Sequence, residues 1–229
     1  MKGGGNMKKI TTIVNFILDE SGSMEAIRSS VISGFNEYVG SLKKQKNKVL
    51  FTLTKFDSTG IRIPYVAVSV KDVEPLSNAT FRPGETTPLY DAVVNTIKRV
   101  KEEAKMKDGK VAVLVAIMTD GLENASKEHT QQTLTALIQE LTGLGNWTFV
   151  FLGANQDSWA TAQRWGIPKG NIVDWQADAG GTMAVFSMMA SSTASFSDQV
   201  QAKGSAGLPI RSANFFNNSV EKGDDLNDK

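Results

Sequence analysis

Near-continuous apolar runs alternate along this chain with segments whose apolar residues recur every three or four positions, and that alternation leaves few folds open. Residues 10–18 and 111–118 are apolar runs of the kind found in strands buried on both faces. Between residues 25 and 44, Ile27, Val31, Phe35, Val39 and Leu42 mark one helical face. Leu89, Ala92, Val93, Ile97, Val100 and Ala104 mark a second. Leu134, Leu137, Ile138, Leu141 and Leu144 mark a third, closed by Gly143 and Gly145. Residues 48–56 and 63–70 read as strands, and the short link Asp57-Ser58-Thr59-Gly60 makes them an antiparallel hairpin. After a polar loop over 72–87, the later strands are 147–152 and 171–173, and the later helices are 156–165 and 179–195. Strands alternating with helices require crossover connections, hence an α/β fold with a mainly parallel sheet and helices on both faces.

At 229 residues the chain suits one such domain. Residues 1–7, with Gly3-Gly4-Gly5, read as a flexible leader, 8–200 as the domain, and 201–229 as a polar tail that is partly disordered. A formal charge of +1 argues against a nucleic-acid partner. With no cysteine there is no disulfide framework or thiolate site, and a single histidine, His129, makes histidine zinc sites and Ser-His-Asp triads implausible. No stretch approaches a membrane span, and the run after Lys8-Lys9 ends in Asp-Glu without a cleavage site, so it reads as a first strand and not a signal peptide. A cytoplasmic location is the expectation.

Open α/β sheets place their sites where strands lead into helices, and oxygen-bearing side chains cluster at such loops here. Asp19, Ser21 and Ser23 follow the first strand. Gly84-Glu85-Thr86-Thr87-Pro88-Leu89 enters a helix, with Pro88 suited to its first position. Thr119-Asp120-Gly121 ends the run 111–118. Each has a plain alternative: the serines and Thr87 as helix caps, Asp120-Gly121 as a turn. Together they form a hard-oxygen set, which suits Mg²⁺ or Mn²⁺, Ca²⁺ less naturally with so few carboxylates, and not zinc, copper or iron–sulfur.

Asp19-x-Ser21-x-Ser23, a threonine in Gly-x-Thr-Thr-Pro-Leu, and Thr119-Asp120-Gly121 together resemble a von Willebrand factor A domain, over residues 10–173. Asp-Glu-Ser-Gly-Ser-Met and Thr-Pro-Leu-Tyr-Asp-Ala are similar to the stand-alone bacterial and phage branch of that family. The resemblance implies a three-layer Rossmann-like fold with one antiparallel edge strand. It also implies a metal-ion-dependent adhesion site whose ligands would be Asp19, Ser21, Ser23, Thr87 and Asp120. Thr87 is chosen over Thr86 because it stands two before Leu89, as the family's threonine does before its leucine. The implied function is non-enzymatic recognition, in which a partner protein's Asp or Glu completes the shell of the ion. A Mg²⁺-dependent hydrolase or phosphotransferase, and a structural assembly protein, are the alternatives.

Other residues carry blander expectations. Glu20, at an alternate position in the run, is expected to face solvent. Glu123 and Asn124 read as turn and capping groups, with a rim role as the alternative, and His129 as solvated. Asp57 could reach the same rim. Trp147, Trp159, Trp165 and Trp175 read as core and interface anchors. Asn155 and Asp157 read as helix-capping groups, or as lining the ligand side. Phe215-Phe216 either docks on its own domain or anchors a partner.

Overall fold

The computed structural model describes residues 10–105, 110–154, 158–205 and 207–217. The strands are β1 (Thr11–Asp19), β2 (Val49–Asp57), β3 (Gly60–Ser69), β4 (Val111–Thr119), β5 (Trp147–Ala154) and β6 (Ile172–Trp175). The helices are α1 (Arg28–Lys43), α2 (Leu89–Lys105), α3 (Gln131–Gly143), α4 (Ser158–Arg164) and α5 (Ala179–Ser205). The strands form one sheet in the order β3-β2-β1-β4-β5-β6. Each neighbouring pair is parallel except β2 with β3, the hairpin that makes β3 an antiparallel edge. The α/β architecture with one antiparallel edge strand is therefore the one the periodicity predicts. Pro64 lies on that edge, where a missing N–H disrupts no ladder.

Side chains of β1 divide by parity between two apolar layers. Val14, Phe16 and Leu18 pack with Phe35 and Tyr38 of α1 and Phe186 of α5. Ile13 and Ile17 pack with Val93 and Ile97 of α2, Ile138 of α3 and Trp165 beyond α4. Burial on both faces is why these runs have so few polar positions. The chain leaves β1 for β2 on one side and returns through α2 to β4 on the other, so the exits of β1 and β4 flank the point where strand order reverses. Ligands of open α/β sheets bind at that point.

Two boundaries differ from the periodicity. A 3₁₀ turn, Gly22–Ile27, precedes α1. Helix α5 runs to Ser205, well past residue 195: Phe196 and Val200 continue its buried face, which small polar residues such as Ser192, Thr193 and Ser197 interleave. Small residues also let α1 and α5 approach closely: a Cβ on Gly34 would come within 2.4 Å of the Phe186 ring. Beyond α5, Phe215 and Phe216 are buried against the domain, Phe215 beside Phe196, with the Phe215 N–H donating to Asn171 Oδ1 at 2.9 Å. Of the two expectations for this pair, docking on its own domain is the one observed. Trp147, Trp165 and Trp175 are core residues. The leader 1–7, Asn155, Asp157, the Trp159 side chain and the tail from residue 218 lie outside the described residues.

Candidate metal centre

Asp19 ends β1 with the parity of Ile13 and Ile17, so its fully buried side chain lies on the α2 side of the sheet. Its Oδ1 accepts the Ser21 N–H at 2.7 Å, and its Oδ2 accepts the Thr119 hydroxyl at 2.6 Å. Thr119 is the last residue of β4, placed beside Asp19 by the parallel register of Leu18 with Met118. The next residue, Asp120, accepts the Ser23 hydroxyl at 2.6 Å, and Ser23 Oγ stands 3.3 Å from Ser21 Oγ. A hydroxyl that donates its proton to a carboxylate keeps its lone pairs free for a cation.

Gly121 locates the point where these groups meet. A Cβ built on it would lie 3.2 Å from Thr87 Oγ1, 3.7 Å from Ser23 Oγ and 3.9 Å from Asp19 Oδ2. The absent side chain leaves a cradle faced by oxygens from two other loops, 19–23 and the one that carries Thr87. Thus Asp19, Ser23 and Thr87 face one small space, and Ser21 and Asp120 adjoin it through their contacts with Ser23. Asp19, Ser21 and Thr87 are buried, while Ser23 is exposed and Asp120 half-buried, so the cradle is reached from the Ser23–Asp120 side.

Neither cap reading accounts for the hydroxyls. Ser21 occupies the N-cap position of the 3₁₀ turn, yet its side chain makes no capping bond. The Thr87 hydroxyl has no hydrogen-bond partner among the described residues, although its backbone N–H donates to Asn124 Oδ1 at 2.9 Å. The carboxylates lack charge partners too: among the described residues no Lys, Arg or His pairs with Asp19 or Asp120. Burial pushes the Asp19 carboxyl up to about 6, against the opposing pull of the Thr119 and Ser21 groups, and the Asp120 charge adds to the rise. Burial raises Asp120 as well, against the Ser23 hydroxyl.

A small hard cation suits this donor set. Two carboxylates would balance its charge and three hydroxyls would add neutral oxygens, a composition for Mg²⁺ or Mn²⁺ more than for Ca²⁺. The set is not an acidic cluster: among the described residues no three His, Cys, Asp or Glu side chains gather as a metal-binding group.

The residues around the cradle hold surprises. Glu20 does not face solvent; it is 1% exposed. Its carboxylate accepts from Lys55 Nζ at 3.2 Å and Arg62 Nη2 at 2.9 Å, and from the Arg82 N–H. The strand has ended at Asp19, so alternation no longer governs the next residue, which turns toward β2 and β3. Asp57 also pairs with Arg62, at 2.9 Å. Burial alone would raise the Asp57 carboxyl, but the Arg62 guanidinium and Thr59 overcome it and hold it below the usual range. On the other flank, Leu122 follows the cradle with 61% of its surface exposed.

Loop 121–130 is tied to the start of α2. Glu123 accepts the N–H groups of Tyr90, Ala125 and Ser126, and Asp91 accepts those of Lys127, Glu128 and His129. His129 is half-buried, and its ring contacts Asn95 Oδ1 and Lys98 Nζ on α2. Read from the sequence alone, Asp91 has no role, Thr119 has none beyond its place in the Thr119-Asp120-Gly121 run, and Asn124 has only a capping or rim one. The sole sequence hint is an acid in the first turn of α2, where helix N–H groups are unpaired.

No protein-family model and no curated protein matches this sequence. Solved structures do match its fold. Two crystal structures of proximal thread matrix protein 1 from the mussel byssus align over 80% of this chain, with TM-scores of 0.59 and 0.54 at 12% and 13% identity. A von Willebrand factor type A structure from Catenulispora acidiphila aligns over 80% of this chain with a TM-score of 0.53 at 16% identity. The fold is von Willebrand factor A-like. This chain covers 48%, 46% and 42% of those chains, less than half of each. Among the described residues no helix is long and apolar enough to cross a membrane.

Proposed function

We propose that the chain is a non-enzymatic, metal-dependent protein-recognition module of the stand-alone bacterial or phage type. Asp19, Ser21, Ser23, Thr87 and Asp120 would hold Mg²⁺ or Mn²⁺. The observation that carries this reading is the cradle in front of Gly121, faced by Thr87, Ser23 and Asp19 oxygens within 3.9 Å of one point. When bound, the ion supplies an electrophilic centre that accepts an oxygen donor from outside the chain. Asp19 and Asp120 would balance its charge, the three hydroxyls would add neutral oxygens, and a partner's Asp or Glu would fill a position left open in the shell. Exposed Leu122 offers that partner an apolar contact beside the carboxylate. The non-enzymatic reading is supported by chemistry near the cradle: the sequence has no cysteine, and its one histidine is engaged with α2.

The test is a calorimetric titration of the full chain with Mn²⁺ and Mg²⁺, repeated on Gly121→Ala. The added methyl would occupy the cradle, so binding is expected to vanish while the circular dichroism spectrum is unchanged. Undiminished binding in Gly121→Ala would place any ion elsewhere and end this reading. Capture of partners in Mg²⁺ buffer and in chelator, with Asp120→Ala as control, then asks whether recognition runs through the ion. A phosphatase and nucleotidase screen showing turnover lost in Asp19→Ala would favour the hydrolase instead.

A further inference from the structure

Thr87 is an awkward residue to hold in place. Pro88 follows it, and the proline ring disfavours helical geometry at the preceding residue, so Thr87 stands outside the hydrogen-bond ladder of α2. Ala92 N–H already reaches back to Pro88 O, so the helix ladder begins one residue later and leaves both backbone polar groups of Thr87 to be satisfied elsewhere. One residue supplies both. The Asn124 N–H donates to Thr87 O at 3.1 Å, and the Thr87 N–H donates to Asn124 Oδ1 at 2.9 Å.

Fixing the N–H and the C=O of one residue fixes its backbone, and the β-branched side chain then has little torsional freedom. The Thr87 hydroxyl is thereby directed at the cradle, 3.2 Å from the point where a Gly121 Cβ would be. Asn124 is itself anchored. Its predecessor Glu123 accepts the Tyr90 N–H at 2.9 Å and the Ser126 N–H at 2.7 Å, bridging the first turn of α2 and the loop that carries Asp120.

We infer that Asn124 is a positioning residue, which aims the Thr87 hydroxyl at the metal; the inference rests on the metal-site reading above. Asn124 would not itself be a ligand, because its Oδ1 accepts the Thr87 N–H. It joins the loop bearing Thr87 to the loop bearing Asp120, so that the two donors move as one body. Residues that orient metal ligands commonly alter affinity by roughly 10- to 100-fold when changed.

A purely structural Asn124 would lower stability without coupling to Thr87, and a double-mutant cycle separates the two roles. Mn²⁺ affinity is measured by calorimetry for wild type, Asn124→Leu, Thr87→Ala and the double variant, with melting in chelator recorded for each. Leucine matches asparagine in size but lacks the acceptor. Asn124→Leu is expected to weaken Mn²⁺ by roughly 10-fold or more, and to weaken it no further once Thr87 is alanine. Asn124→Asp, which keeps the acceptor, is expected to recover most of the loss only where Thr87 is present. If Asn124→Leu does not fold in chelator, Asn124→Ala takes its place in the cycle. An unchanged affinity, or equal losses in both Thr87 backgrounds, overturns the positioning role and leaves the metal site standing. A wild-type chain that binds no Mn²⁺ overturns both.

Discussion

Asp19 and Glu20 are consecutive carboxylates, almost equally hidden from solvent, and the fold treats them in opposite ways. Glu20 is met by Lys55 and Arg62. Asp19 is met by hydroxyls and one N–H, with a second carboxylate, Asp120, close enough to add to its rise. Burying a carboxylate is expensive unless a cation or several donors compensate it. The chain evidently has cations available at this rim and uses them one residue away. What the contrast teaches is that the Glu20 charge is balanced within the polypeptide, whereas among the described residues no cationic side chain balances Asp19 or Asp120; on the proposed function, that balance would come from the ion.

The contrast breaks most cleanly by making the same chemical change at both positions. Glu20→Gln leaves Lys55 buried beside a neutral amide, and breaking a buried pair costs about 3 kcal/mol or more. Its melting temperature in chelator is expected to fall sharply. Asp19→Asn removes a buried charge that has no cationic partner, so in chelator at pH 8 its melting temperature is expected to rise. In the same variant Mn²⁺ affinity is expected to fall beyond the roughly 100-fold that marks the loss of an outer partner. Melts in chelator paired with calorimetry check both. If the two amides destabilise the metal-free protein alike, Asp19 is as structural as its neighbour and the distinction is gone.

A pH series sharpens the comparison further. The folded value for Asp19, about 6, lies above its ordinary 3.8, so the metal-free folded state holds that proton more tightly than the unfolded chain. Stability from this group is therefore present below about pH 4 and is lost as pH rises from about 4 to about 6. At about 1.4 kcal/mol per unit the span is about 3 kcal/mol. Asp57 has the reverse sign. Its folded value lies below the ordinary one, so its contribution is present above the ordinary value and lost as pH falls through the lowered one. Urea melts in chelator from pH 4 to 8 should show the Asp19 decline, absent in Asp19→Asn, and saturating Mg²⁺ should reverse it. A wild-type profile that matches Asp19→Asn in chelator would show that Asp19 carries no unbalanced charge.

Much of this was readable beforehand, for identifiable reasons. Burial on both faces writes itself into residues 10–18 and 111–118, and the short link after Asp57 makes β3 antiparallel. The cradle was legible because its donors stand at loops that an α/β crossover must bring together. Glu20 was not legible, because strict alternation extends only as far as the strand that imposes it, and β1 stops at Asp19. Lys55, a buried lysine in the otherwise uncharged middle of β2, was the available hint that an acid lay nearby. Nor could periodicity find the clasp between Asn124 and Thr87, 37 positions apart. Backbone hydrogen bonds carry no side-chain signature at one of their two ends. The last turns of α5 escaped for a third reason: buried small polar residues such as Ser192, Thr193 and Ser197 thin the apolar pattern before and between Phe196 and Val200.

Ser21 gives the smallest effect and separates two readings of one residue. A serine at a helix N-cap typically contributes about 1 kcal/mol, and its loss would appear in the metal-free protein. The position is right for that role, yet the hydroxyl makes no capping bond and instead stands 3.3 Å from Ser23 Oγ, on the cradle side. Ser21→Ala is therefore expected to change metal-free stability by about 0.5 kcal/mol, below the typical cap value, since the hydroxyl's contacts with Ser23 and Asp19 are lost. It should weaken Mn²⁺ by roughly 10-fold, the low end for a group shaping a metal shell. Urea melts in chelator and calorimetry with Mn²⁺ give the two numbers independently. A full cap penalty with unchanged affinity would return Ser21 to the helix and leave Asp19, Ser23, Thr87 and Asp120 to hold the ion, with more of its shell open to water.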